Sequence, residues 1–540
     1  MLVAGVDSST QSTKVLLCDA DDGTVVGRGS APHPGGTECD PAAWWAALLE
    51  AGAGLLDRAA AIGVAGQQHG MIVLDEDGQV IRPALLWNDL RSAGAATELI
   101  AELGGRRWWA DTTGSVPTAS FTVTKLRWLA EHEPANARLV ATVLLPHDWL
   151  TWRLGGGAFA GGPVTDRGDA SGTGYFSPAT GEWLPDVAAA ALGHPVLLPR
   201  VTAPGEAAGI AAGGTPRSAS PASVAGPATT TVAAAPASTL TPANPLTPAK
   251  PLTPASPLIP ANPLTPANPL TPVAPLTSVA LTSTNTSLLS EGTVISAGTG
   301  DNMGAALGLG LAPGDVVISI GTSGTAFAVS EIPAADPSGA VAGFADATGR
   351  FLPLVCTVNA ALVLSATAAM LGTDNDGLSR LALAAEPGAG GLTLLPYLDG
   401  ERTPDRPGAT GVLRGLTTRN ATSENLARAA VEAVLASLAD AAGYLGACGI
   451  EQRRVLLIGG GARSEAVCRI APGIFGAPVL VPEPDEYVAL GAARQAAWAL
   501  AGTAGPPDWP RRRAAEYSGP AEPRVRERHA ALRDATAGWP

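Results

Sequence analysis

The stretch Gly5-Val6-Asp7-Ser8-Ser9-Thr10-Gln11-Ser12-Thr13-Lys14 decides the fold of this chain. Apolar runs at 2–6 and 15–17 flank it, so it predicts two antiparallel strands joined by a tip of small hydroxyl residues. Such a tip leaves backbone N–H groups free to converge on an anion. A second stretch of the same kind, Ile320-Gly321-Thr322-Ser323-Gly324-Thr325, lies far downstream between two further apolar runs. Two hairpins of this type predict a nucleotide held between two related halves.

Only the first hairpin contains an acid, Asp7, which stands at the mouth of the turn. A lone carboxylate that faces phosphates predicts a Mg²⁺ ion bound between them. Asp7 is therefore the candidate metal ligand. The alternative is a structural role, in which the carboxylate accepts hydrogen bonds within the turn.

Strands and helices alternate on both sides of a long insert, which predicts an α/β fold. Before the insert, strands are predicted at 2–6, 13–18, 24–28, 61–65 and 71–74, with an amphipathic helix at 41–61. After it, strands are predicted at 293–297 and 454–457, the second hairpin at 316–329, and helices ending at 309 and at 359–371 and 423–448. Two hairpin-led halves predict a duplicated α/β domain around a cleft.

Composition indicates a cytoplasmic enzyme. The chain has 540 residues, 46% of them hydrophobic, which is enough for two or three domains with real cores. The net charge of −14 argues against a nucleic-acid or anionic-membrane partner. The five cysteines lack the spacing of a zinc site or a disulfide framework. The N-terminus has no basic region typical of a signal peptide, and the longest apolar stretch, 360–371, is too short to span a bilayer.

The segment 213–290 departs from the rest of the chain. It contains no aromatic or acidic residue and holds a six-residue repeat whose leucines run from Leu240 to Leu276. Proline at every third position of the repeat disfavours helix and central strand, so the segment is expected to be disordered or to adopt polyproline II. The segment is interpreted as a tolerated low-complexity insert, with a rigid spacer or docking strip as the alternative.

Seven short motifs occur in order along the chain. They are G-V-D-S-S-T from Gly5, G-Q-Q-H-G from Gly66, L-W-N-D from Leu86, G-T-G-D-N from Gly298, S-I-G-T-S-G from Ser319, L-D-G-E-R-T-P from Leu398 and I-G-G-G-A-R-S from Ile458. In this order the chain resembles the FGGY carbohydrate kinases. The resemblance implies two ribonuclease-H or actin-like ATPase domains around an interdomain cleft that holds ATP and sugar. The expected boundaries are an N-terminal domain at 1–212, the insert at 213–290, a C-terminal domain at 291–500 and a tail at 501–540.

The resemblance implies which residues carry the chemistry. Transfer of a γ-phosphoryl group to a sugar hydroxyl needs a base near the hydroxyl. Asp301 matches the family's catalytic aspartate, and a helix N-terminus would favour its ionised form; a plain N-cap is the alternative. Asp7 matches the metal-side aspartate and is counted with Asp301 as catalytic. The expected sugar contacts are Gln68, His69, Asn88, Asp89 and Asp301.

At the nucleotide end, the expected ATP contacts lie in three small-residue turns. They are Ser9, Thr10, Thr13 and Lys14; Gly321, Thr322, Ser323 and Gly324; and Gly459, Gly460, Gly461, Ala462 and Ser464. The chain has no P-loop motif. Asp166 and Asp169 are interpreted as loop-ordering residues. Glu401 and Arg402 are interpreted as a structural ion pair outside catalysis.

The activity implied is ATP-dependent phosphorylation of a pentulose, D-xylulose, with Mg²⁺. Gln68 stands where the family has methionine, so a preference for ribulose, gluconate or glycerol stays open. The second alternative is a non-catalytic member of the fold that senses sugar or nucleotide, with the insert as its partner surface. Retention of both Asp7 and Asp301 favours the enzyme, because a sensor needs no base. The sequence leaves open whether the protein is a homodimer.

Overall fold

The computed structural model describes residues 1–157, 159, 161–211 and 288–539. Up to residue 211 the strands are β1 (Leu2–Ser8), β2 (Ser12–Asp19), β3 (Val25–Pro32), β4 (Glu38–Cys39), β5 (Ala61–Gly66), β6 (Ile72–Leu74), β7 (Ala84–Leu85), β8 (Thr142–Leu144), β9 (Val164–Thr165), β10 (Phe176–Ser177), β11 (Glu182–Trp183), β12 (Arg200–Val201) and β13 (Ala207–Ile210). The helices are α1 (Pro41–Ala51), α2 (Ala93–Glu102), α3 (Gly105–Thr113), α4 (Thr122–His132), α5 (Pro134–Ala137), α6 (Pro146–Leu154), α7 (Arg167–Ala170) and α8 (Pro185–Leu192), with a 3₁₀ turn at Leu56–Arg58.

From residue 288 the strands are β14 (Val294–Ser296), β15 (Thr299–Gly300), β16 (Asp315–Ile320), β17 (Gly324–Ala328), β18 (Ala342–Ala345), β19 (Phe351–Thr357), β20 (Thr393–Leu395), β21 (Val412–Arg414), β22 (Arg454–Ile458), β23 (Val479–Pro482) and β24 (Ala514–Tyr517). The helices are α9 (Asp301–Leu309), α10 (Ala361–Met370), α11 (Asn375–Ala384), α12 (Ser423–Ala447), α13 (Glu465–Phe475), α14 (Tyr487–Ala501) and α15 (Pro523–Ala535). Short 3₁₀ turns lie at Ala389–Gly391 and Gly460–Arg463.

The first large sheet has the strand order β13-β14-β5-β1-β2-β3, and β15 extends it beside β5. The pairs β1–β2 and β2–β3 are antiparallel, β1–β5 and β5–β14 are parallel, and β13–β14 is antiparallel. Side chains alternate between its two faces. Ala4 and Val6 pack with the helix residues Trp44 and Leu150, whereas Val3 packs in the cluster that contains α9 and α14.

The second large sheet repeats this arrangement. Its order is β18-β19-β17-β16-β22-β23-β24, and β19-β17-β16-β22-β23-β24 has the same sequence of antiparallel and parallel pairs as β3-β2-β1-β5-β14-β13. The predicted hairpins are confirmed as β1–β2 and β16–β17. Among the described residues one helix, Ser423–Ala447, is long and apolar enough to cross a membrane, but 78% of its most apolar window is buried in the protein. It packs on β17 and β19 as a core helix.

Helix α14, from the end of the chain, covers the first sheet. A Cβ on Gly5 would lie 1.9 Å from the carbonyl oxygen of Ala489, and a Cβ on Gly63 would lie 2.3 Å from that of Ala492. The same helix crosses α9 with backbone against backbone, because a Cβ on Gly491 would lie 1.8 Å from the oxygen of Gly304. The chain therefore uses glycine where a helix must lie directly on a strand or on another helix.

The structure corrects three predicted boundaries. The helix expected at 41–61 ends at Ala51, because the chain turns at Gly52 and reaches a left-handed conformation at Gly54. The segment expected to begin the second domain at 291 instead supplies β14 and β15 to the first sheet. The expected tail folds back: β24 pairs with β23, and α15 packs against α12 and α13.

The predicted insert at 213–290 lies mainly outside the described residues, which resume at Leu288. Leu289, placed inside the predicted insert, is 6% exposed and packs in the first core. The chain leaves β13 and returns to β14, and these strands are antiparallel neighbours whose ends are linked by Ala211 N–H to Thr293 O at 2.8 Å. The described residues on either side of 212–287 therefore lie next to each other at one edge of the first sheet.

Candidate active site

Asp7 lies near the end of β1, directly opposite Lys14 on β2. The carboxylate is 4% exposed and its Oδ1 atom has no hydrogen-bond partner. Burial raises the pKa of Asp7 to about 7; the Lys14 ammonium lowers it, and Asp301 and Glu486 raise it further. Lys14 Nζ itself lies 2.6 Å from Glu486 Oε2, just before α14. A buried carboxylate with an unpartnered oxygen is suited to a cation.

The residues around Asp7 fit Mg²⁺ bound to a nucleotide. The described residues contain no cluster of three or more acidic, histidine or cysteine side chains with metal-binding geometry. Mg²⁺ in phosphoryl-transfer sites is held by one or two carboxylates and by the phosphates of the substrate, so the single unpaired oxygen of Asp7 is sufficient. When bound there, the ion would neutralise phosphate charge.

Asp301 is the first residue of α9, and Gly300 occupies the cap position without a side-chain bond. Asp301 Oδ1 accepts from the backbone N–H of Asn302 at 2.7 Å and from its Nδ2 at 2.9 Å. Asn302 Nδ2 also donates to Gln68 Oε1 at 2.8 Å, which ties the sugar motif to Asp301. Burial raises the pKa of Asp301 to about 6 and outweighs these bonds, so the net shift is opposite to the one that the helix terminus was expected to favour. A carboxylate with this pKa is a base near neutral pH.

His69 has a left-handed backbone, with φ of 65°. Its Nδ1 atom lies 2.6 Å from the carbonyl oxygen of Gly172. Burial lowers the pKa of His69 to about 3, with smaller contributions from Lys125 and Arg402, so the ring is neutral. Because a carbonyl only accepts, Nδ1 carries the hydrogen and Nε2 is left as an acceptor. A sugar hydroxyl could donate to Nε2.

Strand β18, from the second half of the chain, contacts the sugar motif at His69. The ring of Phe344 lies 5.6 Å from that of His69, and Phe121 lies 4.8 Å from it on the first half. The backbone of β18 is held by bonds from Gly343 N–H to Gly114 O at 2.9 Å and from Ala345 N–H to Ser171 Oγ at 3.1 Å. His69 therefore sits where the two halves meet.

The remaining predicted sugar contacts differ in whether their side-chain atoms are free to bond a hydroxyl. Gln68 Nε2 and Asn88 Oδ1 are buried atoms with no partner, so each could bond a hydroxyl. Asp89 is occupied: its Oδ1 accepts from Arg91 Nε at 2.8 Å and from the Arg91 backbone. Trp87, which precedes Asn88, donates from Nε1 to Thr10 Oγ1 at 2.8 Å and joins the sugar loop to the hairpin tip.

The structure brings two of the predicted nucleotide turns together. The hairpin tip Gly321-Thr322-Ser323 is largely exposed, and Gly321 O accepts the N–H of Ala361 at the start of α10. The glycine turn after β22 lies against this hairpin, since a Cβ on Gly459 would lie 2.8 Å from Ile320 O and one on Gly461 would lie 2.3 Å from its Cγ2. Glycine is needed here for close approach.

Four other predicted ATP residues are placed as follows. Ser9 donates to Ser12 O at 3.3 Å within the first tip. Thr13 is fully buried and its Oγ1 lies 2.8 Å from His33 Nε2, so we leave Thr13 out of the proposed ATP contacts. The carbonyl of Ala462 accepts from the Cys468 thiol, and Ser464 precedes α13 without capping it.

The predicted ion pair between Glu401 and Arg402 is not formed. Glu401 is 2% exposed and instead accepts the backbone N–H groups of Val358 at 2.6 Å and Arg402 at 2.8 Å, and it also accepts from Asn359 Nδ2 at 3.0 Å. Within the described residues Arg402 has no carboxylate within 4 Å, and its charge reaches His69 and Cys356. Sequence proximity suggested a pair, but the backbone offered the carboxylate closer partners.

Two buried groups lie behind the sugar loop, and of their members sequence reasoning named Asp166 and Asp169 but missed His147, Asp148 and Lys125. The first surrounds His147, whose Nε2 lies 3.1 Å from Asp148 and 3.2 Å from Asp169. Burial raises the pKa of Asp148 to about 8 and that of Asp169 well above its ordinary value. Asp166 is a loop-ordering residue as expected, since it caps α7 through the N–H of Asp169. The second group contains Lys125. The one feature of the sequence that could have drawn attention to this residue is that the chain has only three lysines.

Comparison with known proteins agrees with this geometry. Residues 2–217 match the N-terminal domain of the FGGY family of carbohydrate kinases, and residues 316–500 match its C-terminal domain. The chain therefore belongs to the FGGY family of carbohydrate kinases. The two-domain actin-like ATPase fold predicted from the sequence is confirmed, and membership implies the use of ATP.

The similar proteins are more specific than the family. The xylulose kinase of Streptomyces coelicolor is 43% identical over 511 residues, which cover 93% of this chain and 88% of the relative. That of Streptomyces rubiginosus is 42% identical over 513 residues, with the same coverage of both chains. The crystal structure of xylulose kinase from Bifidobacterium adolescentis matches with a TM-score of 0.79 and 41% identity over 99% of each chain.

Proposed function

We propose that this protein phosphorylates D-xylulose at its 5-hydroxyl with ATP and Mg²⁺. Similarity to the xylulose kinases over 93% of the chain carries the choice of sugar. The unpaired polar atoms of Gln68 and Asn88, together with the acceptor Nε2 of His69, support a polyhydroxylated substrate beside Asp301. The charge and the motifs support a cytoplasmic location for this activity.

In the proposed reaction Asp301 accepts the proton of the sugar hydroxyl as that oxygen bonds to phosphorus and the bond to the leaving diphosphate breaks. Mg²⁺-bound ATP supplies the phosphoryl group, and Asp7 would hold the ion. Asn302 fixes the Asp301 carboxylate through two bonds to Oδ1 and leaves Oδ2 for the hydroxyl. Thr322 and Ser323, exposed at the second tip, would contact phosphates, and the turn at Gly459 would accommodate the nucleoside.

The test is an ADP-release assay on the full chain with D-xylulose, D-ribulose, gluconate and glycerol as acceptors. We expect kcat/KM for D-xylulose to exceed that of each other acceptor by roughly tenfold or more. Asp301→Asn measured in parallel reports contaminating kinases. If one of the other three proved the better acceptor, the choice of D-xylulose would be contradicted, but the assignment as a carbohydrate kinase would stand. ADP release with none of them would favour the non-catalytic alternative.

A further inference from the structure

Lys125 is fully buried in α4, beneath the loop that carries His69. Its Nζ donates to the carbonyl oxygen of His69 at 2.8 Å and also to that of Ser120. Thr122 Oγ1 gives the His69 carbonyl a second bond, at 3.2 Å. A fully buried lysine is rare because its desolvation is costly, so these bonds need a reason beyond packing.

The left-handed backbone conformation of His69, with φ of 65°, is a reason of this kind. Apart from Ala389, His69 is the one non-glycine residue with positive φ among the described residues, and such a conformation persists only when its surroundings hold it. The turn determines where the imidazole points. With the carbonyl held in this way, the ring reaches Gly172 O and packs against Phe121 and Phe344, whose rings also lie 6.2 Å from each other.

We propose that Lys125 is a positioning residue for the sugar site, which holds the His69 carbonyl so that Nε2 of the ring faces the substrate. The inference rests on the proposed contact between His69 and the sugar. It assigns to Lys125 no contact with substrate or nucleotide. Its effect is on sugar affinity through the orientation of one side chain.

The electrostatics are compatible with this role. Burial lowers the pKa of Lys125 to about 7, and the Asp89 carboxylate acts in the opposite direction. Even as a neutral amine, Nζ keeps two N–H donors, which match the two carbonyls it contacts. Asp89 is itself held by Arg91, whose Nε donates to its Oδ1 at 2.8 Å.

The test combines Lys125→Met with His69→Gly in a double-mutant cycle, and measures the calorimetric Kd for the sugar, the KM for ATP and the melting temperature. Methionine keeps the buried volume and removes the donors. We expect Lys125→Met to raise the sugar Kd roughly tenfold and leave the KM for ATP within about twofold. In the His69→Gly background, where no ring remains to be oriented, Lys125→Met should change the sugar Kd by less than about twofold.

Two further variants make the outcome decisive. Arg127→Met removes a cation from the same helix, where it pairs with Glu102, and should change neither constant. Thr122→Val removes the second donor to the His69 carbonyl and should raise the sugar Kd about two- to threefold, which tests the inference if Lys125→Met does not fold. Equal effects of Lys125→Met with and without His69, or no effect of Thr122→Val, would overturn it. Failure of D-xylulose as a substrate would overturn only the proposed function, because the cycle is measured with whichever sugar binds.

Discussion

The two hairpins occupy the same place in two sheets of the same topology, yet they differ in charge. One pair before the tip, the first hairpin has Asp7 opposite Lys14, whereas the second has Ser319 opposite Thr325. The fold therefore provides two equivalent positions, and the sequence makes only one of them ionic. This division matches a site in which one half holds a cation and the other accommodates phosphates.

The same contrast extends to the parallel strand beside each hairpin. β5 pairs with β1 and leads into the His69 loop, whereas β22 pairs with β16 and leads into the glycine turn at Gly459. The first loop is filled with polar side chains and the second is nearly bare. Repetition of the strands thus sets where chemistry is possible, and a few loop residues decide what it is.

The largest expected effect comes from Asp301, at the junction of the halves. Asp301→Asn should lower kcat roughly 10²-fold or more and retain sugar binding, because the amide keeps the shape and loses the base. In the unaltered enzyme kcat should fall as pH drops below about 6, where Asp301 becomes protonated. Steady-state kinetics across pH check both points. Asp374→Asn, which alters a cap of α11, is the control; wild-type turnover in Asp301→Asn would reduce Asp301 to a structural role.

The next largest effect compares the matched positions of the two hairpins. Asp7→Ala should raise the Mg²⁺ concentration for half-maximal activity roughly 10–100-fold, because the carboxylate of the ion's site is lost. Ser319→Ala, at the same register in the second hairpin, should leave it unchanged. Magnesium titrations at saturating sugar measure this. Similar shifts in both variants would remove the proposed division between the hairpins.

A smaller effect is expected at the glycine turn. Gly459 has φ of 87° and ψ of 178°, a conformation that is essentially restricted to glycine, and it lies against Ile320. Gly459→Ala should therefore displace the turn, raise the KM for ATP several-fold and cost about 1–3 kcal/mol of stability. Gly443→Ala in α12 is the control, because a Cβ there has no atom within 4 Å and the residue lies outside the proposed site. The readouts are KM for ATP and thermal unfolding. Equal tolerance of both variants would show that close approach at Gly459 has no role in ATP use.

The smallest effect concerns the buried acids behind the first hairpin. Asp169 has a raised pKa, so the folded protein retains a proton that the unfolded chain releases above about pH 4. Its contribution to stability therefore falls as pH rises from that point. Asp169→Asn should remove this fall, so that the melting temperature of the variant rises relative to that of the wild type between about pH 4 and pH 6. A constant difference across that range would contradict the assignment.

Local patterns predicted the features that depend on local structure. Apolar runs around small residues gave both hairpins, and the uninterrupted apolar face of 423–447 gave α12. The segment 501–540 was misjudged for a physical reason. β24 is a mostly exposed edge strand, so it lacks the alternation that marks a half-buried strand.

The exposed motifs of the site could be predicted from the sequence. The buried hydrogen bonds that hold those motifs in place could not. The bonds of Lys125 to His69 and of Glu401 to Val358 join residues far apart in sequence, and no local pattern signals them. Burial likewise reversed the expected tendency at Asp301, because the helix terminus is a local effect and desolvation depends on the whole fold.

The packing of α14 on β1 has a consequence for synthesis in the cell. Gly5 emerges from the ribosome early, but its partner Ala489 is made near the end. At roughly 5–20 residues per second, about 25–100 s separate the two. During that interval the first sheet has one uncovered apolar face, which includes Val3 and is available to chaperones or to other nascent chains. Premature termination before Tyr487 would leave that face permanently open, so truncated products should be targets for degradation.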